Sequence, residues 1–361
     1  MNLPIDPPAT DPSPIFEAYR GSYGSELLVA AVAHFDVFGQ IGGGSMRSAE
    51  LGARLGLAER PVVVLTTALC AMGLLRKDEG GRLAMTALAA EHLTPGGAYY
   101  VGDYVAMSAQ SPGVLEMVRR LRSNKPAGTD DGGAGAAFIF RDGLDSAMER
   151  QDSARALTLA LAGRAKNVAP ALAAAVDLSG AWRVLDVAGG TGIYLYAMLR
   201  ANPALTGVVL DGAEVLGVAG EFAEAAGVSG RVEMVAGDMF ADPLPGGCDV
   251  ILLSNVLHDW DVAECRALVA KCAAALPAGG RLFVHDVFLN DGLDGPLAIA
   301  LYSAALFTVC EGRAYSAGEY AGWMREAGLE TTGRPTPTLV HCGVLEGRKP
   351  VRWRNDESRN Q

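Results

Sequence analysis

The amino-acid sequence predicts a two-domain protein, with a mainly α-helical first unit and an α/β second unit built on a mostly parallel sheet. The chain has 361 residues, about twice the usual length of one domain. Half of its residues are hydrophobic, which is enough for a large core. Beyond residue 178, short apolar runs alternate with helical stretches, a pattern typical of a parallel sheet covered on both faces.

The first unit is predicted to cover residues 14–178, after a flexible, proline-rich arm at residues 1–13. Within it, helical patterns begin at Ser48 and Arg60, and a tight hairpin is expected around Gly80-Gly81. Helix, turn, helix and hairpin in this order indicate a winged helix.

A winged helix raises DNA binding as a function, and the charges argue against it. A recognition helix needs side chains that contact bases and phosphates. Between Pro61 and Leu75 there is no Lys, Arg, Asn or Gln, and residues 1–124 carry 10 basic against 12 acidic residues. The whole chain has a net charge of −11. We therefore expect neither nucleic acid nor an anionic membrane surface as a partner.

Cysteine usage and hydropathy predict a cytoplasmic protein. The six cysteines form no CxxC pair and lie scattered in apolar segments, which argues against a disulfide framework or a zinc ribbon and favours a reducing compartment. The N-terminus lacks the apolar core of a signal peptide, and the longest uncharged runs are shorter than a membrane span.

The second unit is predicted to cover residues 179–350, followed by a polar tail at 351–361. Its strands are expected at 182–187, 207–210, 231–235, 249–254 and 281–284, separated by helices around 193–200, 213–226, 261–276 and 317–327. Polar residues follow each strand, and ligands of open parallel sheets bind beyond the carboxyl ends of the strands. The candidate site therefore consists of the segments 186–192, 211, 238–239, 255–260 and 285–286.

The loop after the first strand contains three glycines, Gly189, Gly190 and Gly192, which allow a ligand close to the backbone at a helix start. A P-loop is excluded because Ile193 follows where lysine is required. A dinucleotide-binding fingerprint would need glycine at position 195, where this chain has leucine. The mismatch weakens dinucleotide binding as an interpretation without excluding it.

S-adenosylmethionine is the remaining candidate ligand. This molecule has no phosphate, and its ribose diol is bound well by a carboxylate that follows the second strand and accepts two charge-assisted hydrogen bonds. Asp211 occupies that place, 19 residues beyond Gly192.

Five segments together, LDVAGGTG, VVLDGAEVL, GDMF, LLSNVLHDWD and LPAGGRL, resemble the class I S-adenosylmethionine-dependent methyltransferases. The closer resemblance is to the two-domain O-methyltransferases of the caffeate/acetylserotonin type and their bacterial natural-product relatives, and it covers nearly the whole chain. It implies a Rossmann-like methyltransferase domain, S-adenosylmethionine as cofactor and a small-molecule acceptor with a hydroxyl group. It also implies that the winged-helix domain forms a homodimer and closes over the substrate.

The resemblance also assigns cofactor contacts. Gly190 and Gly192 are expected against the methionine part, Asp211 at the ribose, and Asp238 and Met239 beside the adenine. The full set of expected cofactor residues is Asp186, Gly189, Gly190, Gly192, Asp211, Asp238, Met239, Ser254 and Trp260. Ala188 stands where the usual motif has glycine.

His258 matches the catalytic base of the family. A phenol or alcohol is mostly protonated at neutral pH, and a neutral imidazole can take its proton during attack on the methyl group. Relatives orient this histidine with two carboxylates, of which the first matches Asp286. Ala314 occupies the place of the second, so either Glu311 substitutes for it or the base works with one carboxylate.

The sequence leaves open two alternatives to O-methylation, and it also leaves open which residues contact the acceptor. Some members of the superfamily methylate carbon in α-keto acids with a metal, and the pair His258-Asp259 with Glu311 or His285 would suit such a site. A regulatory dimer with the same fold is a third interpretation. Phe140, Tyr302 and Phe307 are candidates for an acceptor pocket, although aromatics at helical spacing also suit a plain core.

Overall fold

The computed structural model describes residues 3–126 and 151–351, with the backbone alone for residues 151–154. The α-helices are α1 (Ser13–Arg20), α2 (Ser22–Val29), α3 (Val37–Ile41), α4 (Ser48–Leu55), α5 (Glu59–Ala71), α6 (Ala87–His92), α7 (Gly102–Val105), α8 (Pro112–Ser123), α9 (Gln151–Ala175), α10 (Ile193–Ala201), α11 (Ala213–Ala226), α12 (Val262–Ala275), α13 (Leu297–Val309) and α14 (Ala317–Glu326). The strands are β1 (Ser45–Met46), β2 (Leu75–Lys77), β3 (Leu83–Met85), β4 (Arg183–Val187), β5 (Thr206–Asp211), β6 (Val232–Ala236), β7 (Val250–Ser254), β8 (Arg281–Leu289), β9 (Tyr315–Ser316), β10 (Thr336–Pro337) and β11 (Cys342–Arg348).

The predicted winged helix is confirmed. Helices α4 and α5 are followed by the antiparallel hairpin β2–β3, and β1 pairs with the outer side of β3. The Asp78 carboxylate fixes the hairpin turn by accepting hydrogen bonds from the backbone N–H groups of Gly80 and Arg82, both at 2.9 Å. Helix α5, the second helix of this motif, is buried along most of its length, so it forms part of the core and is not a recognition surface.

The larger sheet also agrees with the prediction. Its order is β10-β11-β8-β7-β4-β5-β6, with β9 paired to β8 at the side. Strands β4 to β8 are mutually parallel, and β11 closes the edge antiparallel to β8. The chain moves outward from β4 in one direction through β5 and β6 and in the other through β7 and β8. The carboxyl ends of β4 and β7 therefore form the crevice where ligands of such sheets bind.

Two helices connect the units. Helix α9 precedes the boundary predicted near residue 178, yet its Val168 and Leu172 are fully buried in the core of the larger sheet. Helix α13 places Ile299 in that core and Phe307 in the core of the winged-helix unit. Since α13 has apolar residues on all sides, it is suited to bury surface against both units at once.

The N-terminal arm is attached at its first described residue. Leu3 is buried against the larger core, and its carbonyl accepts a hydrogen bond from Arg200 at 2.8 Å. All six cysteines are buried and unbonded to one another. No helix within residues 3–126 and 151–351 is both long and apolar enough to cross a membrane.

Candidate active site

Asp211 ends β5 and is held by the glycine loop after β4. Its carboxylate accepts hydrogen bonds from the backbone N–H of Gly190 at 2.8 Å and of Gly212 at 2.7 Å. Burial raises the pKa of Asp211, and the two N–H groups lower it in part. The structure thus brings the predicted ribose-binding carboxylate against the predicted methionine-binding loop.

The glycine loop requires glycine at two of its positions. Gly190 has φ +57°, and no heavy atom lies within 4 Å of the place where a Cβ would stand. Gly192 has φ +70°, and a Cβ there would lie 2.2 Å from the ring of Tyr196. Ala188 adopts φ +52° with its side chain present. The loop therefore leaves open space over Gly190, next to Asp211.

Asp186 lies beneath this loop and is 1 % exposed. A Cβ on Gly189 would lie 2.8 Å from the Asp186 carboxyl carbon, so glycine is needed for the loop to cross this side chain. The Oδ2 atom has no hydrogen-bond partner within the described residues. Burial and the neighbouring Asp211 raise the pKa of Asp186 to about 8. Two carboxyl groups therefore share one buried region, and the deeper one holds its proton at neutral pH.

We expect Asp186→Asn to stabilise the cofactor-free protein at alkaline pH. The pKa of Asp186 is raised in the fold above its usual 3.8, so the native state keeps a proton that the unfolded chain releases. Stability consequently falls as pH rises from about 4 to about 8, and asparagine removes this loss. The thermal midpoint of the variant should exceed that of the wild type by at least about 3 °C at pH 9 and by clearly less at pH 5. An equal difference at both pH values would contradict this assignment.

The segments after β6 and β7 supply the outer wall of the crevice. Asp238 is exposed, and its carboxylate accepts hydrogen bonds from the backbone of Phe240 and Ala241. Met239 is half-buried, and Trp260 packs edge-on against Phe240 with ring centres 4.8 Å apart. The predicted adenine residues are therefore on one side of the crevice, with an aromatic pair behind them.

Ser254 ends β7 and is engaged within the protein. Its hydroxyl lies 2.8 Å from Nδ1 of His285 and accepts a hydrogen bond from Asn255 at 3.1 Å. The other ring nitrogen of His285 lies 3.1 Å from the Thr338 hydroxyl. Burial and Arg164 lower the pKa of His285 to about 3, so its ring is neutral. Both ring nitrogens of His285 are therefore used in the fold and neither is directed to a metal.

His258 stands at the centre of a second cluster and is 4 % exposed. Its Nδ1 lies 2.6 Å from the Asp286 carboxylate, which also accepts hydrogen bonds from Tyr320 Oη at 3.0 Å and from the backbone N–H of Val287 at 2.8 Å. Burial lowers the pKa of His258, but Asp286 and Asp259 outweigh it and the pKa is raised. Burial raises the pKa of Asp286, and the His258 contact and hydrogen bonds outweigh it, so this pKa is lowered. Asp286 stays an acceptor and fixes the proton of a neutral His258 on Nδ1.

Asp259 is the second carboxylate beside His258. Its Oδ1 lies 3.6 Å from Nε2 of the imidazole. Burial raises the pKa of Asp259 to about 6, against the lowering effect of His258. Glu311, the substitute expected from the sequence, is half-buried in a loop whose carbonyl groups at Cys310 and Gly312 accept hydrogen bonds from Arg60.

The loop that carries Glu311 passes very close to the His258 turn. A Cβ on Gly312 would lie 2.2 Å from the carbonyl oxygen of His258 and 2.6 Å from the backbone nitrogen of Trp260. Both contacts are backbone, so a side chain here would push the turn that positions the imidazole.

We expect Gly312→Ala to lower the free energy of unfolding by about 1–3 kcal/mol or more because of this overlap, and to reduce activity. Gly322→Ala is the matched control, since Gly322 lies in α14 with no heavy atom within 4 Å of a Cβ. Alanine in a helix interior should stabilise the control by about 0.5–1 kcal/mol. Denaturant unfolding followed by circular dichroism measures both. Equal effects of the two substitutions would show that the close approach is not real.

The predicted acceptor residues have different surroundings. Tyr302 is half-buried, and its ring lies edge-on to His258 with centres 5.8 Å apart. Phe307 is fully buried in the core of the winged-helix unit, beneath the guanidinium of Arg60, and offers packing rather than exposed surface. Phe140 lies outside the described residues.

Several residues of this site escaped the sequence analysis. Tyr320 reaches Asp286 from a helix 34 positions later in the chain, and Arg164 donates a hydrogen bond to Asn255 Oδ1 at 2.7 Å from a helix 91 positions earlier. Neither has a local motif. Asn255, the partner of Arg164, lies within the predicted segment 255–260, and the structure gives it φ +56°.

The donor set fits S-adenosylmethionine better than a metal. The Asp211 carboxylate can accept hydrogen bonds beside the open space over Gly190. Beneath the loop, the Asp186 Oδ2 atom has no partner among the described residues. Acceptors of this kind suit a polar, cationic nucleoside. In the part of the chain that the structure describes, no three His, Cys, Asp or Glu side chains are grouped to hold a metal ion. The metal site of the alternative interpretation is therefore not assembled from His258, Asp259 and His285.

The chain resembles known proteins over most of its length. It is 37 % identical to 3-hydroxy-5-methyl-1-naphthoate 3-O-methyltransferase of Streptomyces sahachiroi, with 89 % of this chain and 90 % of that protein covered. A solved O-methyltransferase family 2 protein of Planctomyces limnophilus, in complex with apigenin, is 45 % identical, with a TM-score of 0.86 over 97 % of this chain and all of that chain. Human N-acetylserotonin methyltransferase, solved with SAM, has the same fold at 21 % identity, with a TM-score of 0.59 over 94 % of this chain and 97 % of that chain.

The family itself follows from a direct match. Residues 134–330, more than half of the chain, match the O-methyltransferase domain family. This match covers the glycine loop, Asp211 and the cluster around His258, which together form the crevice described above. The chain belongs to the O-methyltransferase family and is a methyltransferase of the two-domain type.

Proposed function

We propose that this protein transfers a methyl group from S-adenosylmethionine to a hydroxyl of an aromatic or polyketide-like small molecule, with His258 as the general base. The observation that carries the proposal is the hydrogen bond of 2.6 Å between His258 Nδ1 and Asp286, buried at the carboxyl edge of the sheet. Relatives named for a hydroxynaphthoate and solved with apigenin support an aromatic acceptor.

His258 suits the role of base because of how it is held. The bond to Asp286 fixes one tautomer, which leaves the lone pair on Nε2 to accept a proton. Asp286 and Asp259 stabilise the imidazolium that forms, and Tyr320 keeps Asp286 in place. A positioned base of this kind contributes about 10²–10⁴-fold to the rate.

The cofactor would be held across the ends of β4, β5, β6 and β7. Asp211 would accept the ribose hydroxyls, and the loop with Gly189, Gly190 and Gly192 would lie along the methionine part. Asp238 and Met239 would flank the adenine, and Trp260 would form a wall of the cofactor site. When bound, S-adenosylmethionine supplies a methyl group on a positively charged sulfur. Residues of the protein then bring the acceptor oxygen into line with that methyl group, which provides much of the remaining acceleration.

The direct test is incubation with a labelled methyl donor and a panel of phenols, hydroxynaphthalenes, hydroxyquinones and α-keto acids. Label on a phenolic oxygen, identified by mass spectrometry and NMR, is the expected result. Transfer to carbon alone would overturn the proposal. Activity that disappears with a chelator and returns with iron or zinc would also contradict it, since no metal has a role in it.

We further propose a homodimer formed through the winged-helix unit, in a reducing compartment such as the cytoplasm. Large apolar side chains are exposed along one stretch of this unit: Tyr99 is 67 %, Tyr104 79 % and Met107 79 % exposed. An exposed apolar cluster of this kind is typical of an interaction surface. Sedimentation of the wild type should give a dimer, and Tyr104→Glu should give monomers.

A further inference from the structure

Arg20, at the end of α1, is a largely buried arginine whose guanidinium has no hydrogen-bonding partner among the described residues. The residue is 8 % exposed. Within residues 3–126 and 151–351, its guanidinium makes contact with the rings of Tyr302 and Phe16, at 3.7 and 5.4 Å from the ring centres, and has no hydrogen bond or carboxylate. Cation–π contacts offset only part of the cost of burying a charge. A buried guanidinium in this condition is suited to bind an anion.

The other buried arginines show how unusual this is. Four further arginines are buried to a similar degree in the described chain, and each has hydrogen-bond acceptors: Arg60 with Cys310 and Gly312, Arg120 with Glu116 and Pro126, Arg281 with Asp177, and Arg313 with Glu319. These arginines support the fold. Arg20 makes no hydrogen bond of this kind to the described part of the chain.

A second guanidinium faces the same tyrosine. Arg164 lies with its Cζ 5.7 Å from the Tyr302 ring centre, and its Nε is buried without a partner. Its terminal nitrogens donate to Asn255 Oδ1 at 2.7 Å and to Cys342 Sγ at 2.8 Å, both of them neutral acceptors. Within residues 3–126 and 151–351, two positive charges thus lie beside the same ring, and neither makes a hydrogen bond to a carboxylate.

Among the described residues, the groups with the largest electrostatic effect on Arg20 include no carboxylate. They are Tyr302, Arg164, Cys342 and Tyr19. Asp286 is the carboxylate that acts on Arg164, and it is already bonded to His258, Tyr320 and Val287. Two guanidinium groups therefore lie beside Tyr302.

The ring of Tyr302 connects Arg20 to His258, the proposed base. The Tyr302 ring contacts both Arg20 and the ring of His258, at 3.7 and 5.8 Å between centres. Guanidinium and imidazole thus both border the ring of Tyr302. Arginine binds carboxylate through parallel N–H groups, with a fit that a neutral group does not reproduce.

We propose that Arg20 and Arg164 form a carboxylate-binding subsite, and that the acceptor is an aromatic hydroxy acid whose carboxylate binds there while its hydroxyl faces His258. This inference rests on the proposed function. The winged-helix unit contributes Arg20 and the larger unit contributes His258, so one acceptor would connect both.

The test compares two acceptors with the same ring, 3-hydroxy-1-naphthoic acid and its carboxamide, in wild type, Arg20→Gln, Arg20→Lys and Arg76→Gln. Arg76 is an exposed arginine of the wing and serves as the matched control. Wild type and control should prefer the acid by about tenfold or more in kcat/KM, as expected when a charge-assisted bond replaces a neutral one. Arg20→Gln should lose that preference through the acid alone, and Arg20→Lys should recover part of it.

Stability and cofactor affinity complete the test. The thermal midpoint of Arg20→Gln should equal or exceed that of the wild type, because an uncompensated buried charge is removed. Calorimetry with S-adenosylhomocysteine should give equal affinities for both. Loss of cofactor affinity with an intact acid preference would place the anion on the cofactor and overturn the inference. An equal loss for acid and amide would overturn it too, since Arg20 would then act on the phenolate. Equal use of both acceptors by the wild type refutes the subsite alone, whereas the proposed function is refuted only if no hydroxyl of the wider acceptor panel is methylated.

Discussion

Replacing His258 by alanine is expected to lower turnover by at least about a hundredfold while the affinity for cofactor stays unchanged. The imidazole is the group whose tautomer the structure fixes, through the 2.6 Å bond to Asp286, and its Nε2 is the available proton acceptor. The proposed cofactor contacts at Gly190 and Asp211 do not involve the imidazole, so they should survive the change.

Turnover in single-cycle experiments and calorimetry with S-adenosylhomocysteine measure the two quantities separately. His92→Ala is the matched control, because His92 lies in α6 of the winged-helix unit, where its ring contacts the backbone of Tyr99 and neighbouring Glu91. The pH profile gives a further check. The pKa of His258 is raised, so activity should fall on the acid side as the ring takes up a proton before the acceptor can supply one. Full activity of His258→Ala would refute the base assignment.

Asp211→Ala should reduce cofactor affinity beyond detection. The carboxylate fixes the glycine loop through Gly190 and Gly212 and would accept two charge-assisted bonds from a ribose, each worth about 1.5–3 kcal/mol. Removing it deletes these bonds and leaves two backbone N–H groups without their acceptor. A loss of more than about a hundredfold is expected on that basis.

Asp211→Asn separates the two contributions. The amide oxygen can still accept from a backbone N–H, so the loop should keep its shape while the charge is lost, and an intermediate affinity is expected. Glu214→Ala, three residues further along in the exposed first turn of α11, is the matched control for the loss of an acidic side chain. Unchanged affinity in Asp211→Ala would mean that the nucleoside binds elsewhere.

Sequence by itself determined the architecture and the strand-end part of the site. Apolar runs of strand length and the helical period between them are local properties, and they placed β4 to β8 within one to two residues at the starts of the strands. The ends of those strands necessarily meet at one edge of a parallel sheet, which is why Asp186, Asp211 and His258 were found without coordinates. The motif spacing then indicated the family.

Only the tertiary structure decided which side chains complete the site. Tyr320 and Arg164 reach the His258 cluster from helices 34 residues after Asp286 and 91 residues before Asn255, and Arg20 arrives from the first helix of the chain. Their contacts depend on how α1, α9 and α14 pack on the sheet, and no local pattern encodes that packing. Whether a buried charge is paired is likewise a property of the folded molecule, since it depends on every element that surrounds the group. The distance of 3.6 Å between Asp259 and the imidazole Nε2 is likewise a property of the folded chain, although the two residues are neighbours in the sequence.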